Sequence, residues 1–107
     1  MTRITDGGAL PQHWYQLVEI EGQYEFARTK QPGGVGIIAF LKVPSDAGPV
    51  YIDLFDREEE EATRLEGKTV RVAGQIQPPL DDTMPLHMAA RDNLPALVSI
   101  TAIDLVA

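Results

Sequence analysis

The chain has no cysteine. That excludes a disulfide framework, a thiolate nucleophile and a cysteine metal cage. Histidine is limited to His13 and His87, and serine to Ser45 and Ser99. So small a stock offers no motif that would hold a nucleophile, a base and an orienting group together. Gly7-Gly8 and Gly33-Gly34 lack the surroundings of a phosphate-binding loop. The expectation is a protein that is not an enzyme and uses no cofactor. No apolar run approaches the roughly 18 residues of a membrane span, so no membrane partner is expected. Met1 to Gly8 carry no apolar signal core, which makes the cytoplasm the default location. Cations are also scarce, with 9 Lys and Arg against 16 Asp and Glu and a net charge of −7. Binding to nucleic acid draws on Lys and Arg at phosphates, and a field of this sign repels a polyanion. Nucleic acid is therefore disfavoured as a partner, whereas a basic protein suits the field.

What is present is alternation. At 107 residues the chain has room for one modest core. Residues 1–12 contain Gly7, Gly8 and Pro11 without periodicity, and read as a flexible N-terminal arm unless they dock. Residues 13–107 read as a single domain. From Trp14, one face carries Val18, Ile20, Gly22, Tyr24 and Phe26, and the other carries Leu17, Glu19, Glu21, Gln23 and Glu25. That is a long strand, and Gly22 marks a bend in it. Gln31-Pro32-Gly33-Gly34 reads as a turn into a second strand, Val35 to Val43. A further turn leads to a third strand, Val50 to Phe55. Asp56 then has the chemistry of a helix N-cap, with Glu59 three positions on and Glu60–Arg64 spaced for an ion pair. Gly67 fits the left-handed residue that stops a helix. A fourth strand, Thr69 to Ile76, has Gly74 as a second bend. A loop over residues 77–95 precedes the last strand, Ala96 to Val106.

The order is strand, strand, strand, helix, strand, strand. Within it, Leu65-Glu66-Gly67-Lys68-Thr69-Val70-Arg71-Val72-Ala73-Gly74 is similar to a run found in many bacterial OB-fold proteins. The chain thus resembles the OB-fold superfamily, in particular its small bacterial single-domain members. The resemblance covers residues 14–106 as a pattern and about ten residues as a motif. It implies a mainly β, five-stranded Greek-key barrel with one short helix between the third and fourth strands. An SH3-like or other small β-barrel is the alternative.

The resemblance also implies a binding surface, the outer face of the second and third strands. Here that face presents Ile38, Phe40, Lys42, Tyr51, Asp53 and Phe55, with Arg28 and Lys30 expected on the first loop. Phe40, Tyr51 and Phe55 beside cations fit stacking on single-stranded nucleic acid. Ile38 cannot stack, however, and Glu19, Glu21, Glu25 and Asp53 would stand near any phosphate chain. The leading expectation is therefore a non-enzymatic module for a protein partner, either a second copy or a larger assembly. Nucleic acid is the alternative. Asp81, His87, Met84 and Met88 share one loop, but a metal site lacks a second histidine there, and none is expected. The run Glu58 to Glu61 points in different helical directions and reads as a solvated helix start.

Overall fold

A computed structural model of the chain describes residues 1–88 and 92–106. The protein is mainly β, with six strands in one mixed sheet. β1 spans Thr2–Ile4, β2 Leu17–Gln31, β3 Gly34–Val43 and β4 Val50–Leu54; the helix α1 spans Glu59–Leu65, followed by β5 Thr69–Gln77 and β6 Ala96–Leu105. The sheet order is β1-β2-β3-β4-β6-β5, and β2 also pairs with β5. Five strands, β2 to β6, therefore form a ring, and β1 lies outside it as a parallel neighbour of β2.

Alternation explains the core. Val18, Ile20 and Tyr24 of β2, Leu41 and Val43 of β3, Ile52 of β4, Val70, Val72 and Ile76 of β5 and Leu97 of β6 are all fully buried. Each such aliphatic side chain contributes roughly 1.5–3 kcal/mol relative to an exposed position. β2 serves both halves of the ring. It pairs with β5 from Leu17 to Gln23 and with β3 from Gln23 to Gln31. Gly22 stands at this crossover. A Cβ there would lie 2.6 Å from the Lys42 carbonyl oxygen, so only glycine fits. Gly74 has a different task. Ala73 pairs with Ala102 but Gln75 pairs with Val98, so β6 bulges opposite Gly74. A Cβ on Gly74 would lie 2.9 Å from the Val98 carbonyl oxygen.

Three features depart from the sequence expectations. The first twelve residues dock. Ile4 and Leu10 are buried, a 3-10 turn forms over Gly7–Gln12, and the Asp6 carboxylate accepts from the Gly8 amide at 2.9 Å. Second, Asp56 is not the helix N-cap. Its φ of 61° is left-handed, whereas an N-cap residue is extended. Glu58 takes that position without a side-chain cap hydrogen bond. Third, the helical ion pair is Arg57–Glu61 at 3.3 Å rather than Glu60–Arg64. Glu61 is held from the core side, because the buried Tyr24 hydroxyl donates to its Oε2 at 3.0 Å. Arg57 meets the carboxylate so anchored. Gly67 ends the helix as expected, with a φ of 79°. Its amide donates to the Tyr24 carbonyl at 2.8 Å, which fastens the helix exit to β2.

Candidate functional site

The strand register assembles the outer face of β2, β3 and β4 row by row. Glu25 pairs with Phe40, and Phe40 pairs with Asp53. In the next row Gln23 pairs with Lys42, and Lys42 with Tyr51. Successive strands lie about 4.8 Å apart, so Glu25 and Asp53 stand at backbone positions roughly 10 Å apart with Phe40 between them. Phe40 and Tyr51 are diagonal neighbours, within reach for large side chains. Ile38 lies one step beyond Phe40 on the same face. Phe55 follows the end of β4, is 54% exposed and lines a shallow hollow with Ile38 and Asp53.

The face is concave. Glu25, Ala27, Phe40, Tyr51 and Leu94 line a depression of about 330 Å³. Ile38, Phe40, Asp53 and Asp92 line another of about 430 Å³. Phe40 is common to both. Asp92 and Leu94 escaped the sequence reading, since nothing in the long loop forecasts where it returns to the sheet. The structure supplies the reason. The Asp53 amide donates to the Pro95 carbonyl at 2.9 Å, so the end of the loop runs alongside β4. Residues 89–91 of that loop lie outside the described residues.

The carboxylates of this face lack compensation. Burial alone pushes the Asp53 carboxyl above the usual aspartate range, with no charge or hydrogen bond offsetting it. Glu25 Oε2 is buried, and no described residue donates to it. The opposite situation holds outside β2 and β5, where Arg71 Nη2 meets Glu21 at 3.2 Å and its Nε lies 3.9 Å from Glu19. There one guanidinium is shared by two carboxylates.

Arg28 and Lys30 do not join the site. β2 continues to Gln31, so both are strand residues rather than loop residues. Alternation then sends them to the side of Tyr24 and Phe26, away from Glu25 and Ala27. Arg28 donates through Nη2 to Glu59 Oε1 at 3.0 Å, and its guanidinium lies 5.2 Å from the centre of the Phe26 ring. The acidic run is accordingly not wholly solvated, since Glu59 and Glu61 both carry partners. The strip thus unites Ile38, Phe40, Lys42, Tyr51 and Phe55 with Glu25 and Asp53, and Lys42 is the cation within it.

Other places offer less. A hollow of about 620 Å³ lies between the β2 bend and the turn after β3, and its lining includes Glu21, Gln23, Lys42 and Thr69. Glu21 there is already bonded to Arg71, and Gln23 donates to the Gly67 carbonyl at 3.0 Å. Asp81 accepts from the Thr83 amide and hydroxyl, which hold its carboxyl below the ordinary range. Among the described residues no three His, Asp or Glu side chains converge as a metal site requires, and no helix is long and apolar enough to cross a membrane. Compared with known proteins, the chain matches no family model and no curated protein.

Proposed function

We propose that this protein is a non-enzymatic binding module of OB-fold type, whose outer β2–β4 face docks a protein partner. Support for the fold comes from the five-strand ring and from a short helix between its third and fourth members, an order that a Greek-key barrel shares. One observation carries the docking reading. Phe40 is shared by two adjoining depressions, one lined by Glu25 and Tyr51 and the other by Asp53 and Asp92. An apolar floor with an acidic rim suits a partner that combines apolar and basic groups. Single-stranded nucleic acid is the weaker reading. Arg28 is bound to Glu59 on the far side, while two carboxylates flank the central phenyl ring.

The test compares wild type with Phe40→Glu, a change on an outer face that leaves the core intact. Both are immobilised and exposed to the same lysate, and a labelled oligonucleotide is titrated into each at low salt. Proteins retained by wild type should be lost from the variant, and the oligonucleotide should bind neither. Identical retention by both chains, or retention by neither, refutes the docking reading. Tight oligonucleotide binding that falls steeply with salt would replace it with the nucleic-acid alternative.

A further inference from the structure

We infer that the β2–β4 concavity is a receptor for an arginine side chain of a basic partner segment, seated over Phe40 between Glu25 and Asp53. This rests on the docking reading above and names the chemistry of its occupant. The first argument is geometric. Glu25, Phe40 and Asp53 form a single cross-strand row with the phenyl ring in the middle. A planar guanidinium can lie on that ring and donate outward in its own plane to carboxylates on both sides. Arginine fits this better than lysine, whose ammonium is a compact point charge.

The second argument is the unmet demand. Glu25 Oε2 is buried without a described donor, and Asp53 is half-buried with nothing to offset that burial. A carboxylate desolvated without a partner is costly, so a docked donor gains at Asp53, and at Glu25 once its side chain turns into the hollow that it lines. The third argument is the floor. Ala27, Tyr51 and Leu94 surround the Phe40 position with apolar surface that would cover the aliphatic stem of an arginine.

Charge decides between a foreign partner and a second copy. The chain carries −7, so two copies repel. Of its six arginines, three are already engaged, Arg28 with Glu59, Arg57 with Glu61 and Arg71 with Glu19 and Glu21. A basic segment of another protein brings a guanidinium without breaking these pairs and without adding a second net charge of −7.

The probe is a fluorescein-labelled nonapeptide that alternates leucine and arginine, followed by anisotropy at fixed salt. A matched peptide carries citrulline, which keeps the shape of arginine and removes its charge. Wild type should bind the arginine peptide at least about tenfold more tightly than the citrulline peptide. The Glu25→Gln/Asp53→Asn double variant should lose about tenfold or more for the arginine peptide only. Glu60→Gln/Glu66→Gln makes the same change in net charge on the exposed helix and should leave binding within twofold. Equal losses in the two double variants would mean attraction by net charge alone and would overturn the inference, as would equal affinity for the two peptides. The same double variants are also exposed to the lysate. If Phe40→Glu releases proteins that Glu25→Gln/Asp53→Asn still retains, the docking face survives and the arginine receptor does not.

Discussion

Replacing Gly22 with alanine tests the construction of the ring at the residue where it turns. β2 leaves β5 and joins β3 around this position. A Cβ would stand 2.6 Å from the Lys42 carbonyl oxygen, 3.0 Å from Leu41 Cγ and 3.1 Å from Val43 Cγ2. The side-chain contacts can relax by small rotations. The carbonyl belongs to the paired β3 backbone, so moving it disturbs the ladder between β2 and β3. Overpacking of this kind costs about 1–3 kcal/mol. Removing a glycine from the unfolded chain returns about 0.4–1 kcal/mol, because the Gly22 backbone is not in the left-handed region. The net expectation is a loss of about 1–2 kcal/mol, or roughly 4–8 °C of melting temperature per kcal/mol for a domain of this size. Urea unfolding should show a lower midpoint at unchanged slope, since the surface exposed on unfolding is the same. Gly67 is the contrasting control. Nothing lies within 4 Å of a Cβ there, but its φ is +79°, so alanine strains the backbone and asparagine is better tolerated. If Gly22→Ala is as stable as wild type, the steric account of the β2 crossover is wrong.

Two further predictions concern polar groups. Tyr24→Phe removes the donor to Glu61 Oε2 and should cost about 1.5 kcal/mol, the low end for a hydrogen bond to a charged group, because Glu61 is partly exposed. The loss should shrink in a Glu61→Gln background; an unchanged loss would show that the hydrogen bond carries none of it. Asp53→Asn should stabilise the protein at neutral pH. The folded carboxyl is raised above its ordinary value of 3.8, so the contribution of Asp53 to stability is fully present below that value and is lost as pH rises through the folded one. Thermal melts should therefore coincide for variant and wild type below about pH 3.8 and separate toward pH 7, with the variant higher. A variant no more stable than wild type at pH 7 contradicts an uncompensated carboxylate at this position.

The five ring strands were legible because half-buried strands print a period of two. Val18, Ile20 and Tyr24, then Val70, Val72 and Ile76, are enough to fix which face turns inward. Gly22 and Gly74 were legible as bends because each interrupts an alternation that continues beyond it, and Gly67 as a stop because the helical pattern ends there. β1 and the 3-10 turn after it were not legible. They contribute only Ile4 and Leu10 to the core, too few for any period to show. The helix start was misplaced because Asp56 has the composition of a cap but spends its tolerance of left-handed backbone on leaving β4. The position of Arg28 and Lys30 was within reach. Counting in twos from Tyr24 through Phe26 puts both on the inner side, provided the strand runs on to the Pro32-Gly33 turn. Assigning them to a loop hid that parity. The contributions of Asp92 and Leu94 could not be read, because they depend on a loop end held by the amide of Asp53.

The two outer surfaces of the ring obey different rules, and the difference bears on function. Outside β2 and β5, Glu19 and Glu21 share one guanidinium, that of Arg71. Outside β2, β3 and β4, Glu25 and Asp53 flank Phe40 without a described donor. Folding gives no reason for this. Neutral residues of similar size at positions 25 and 53 would preserve the register, the alternation and the core, and would avoid the desolvation of two carboxylates. Two of the chain's six arginines are used elsewhere, Arg28 at Glu59 and Arg57 at Glu61, where they fasten β2 and α1. Glu59, Glu61, Glu19 and Glu21 have arginine contacts, whereas Glu25 and Asp53 beside the apolar hollow have none among the described residues. Groups that weaken the free protein are retained where a bound partner completes them. The proposal that the strip around Phe40 docks a partner rests on that contrast more than on the presence of aromatic residues.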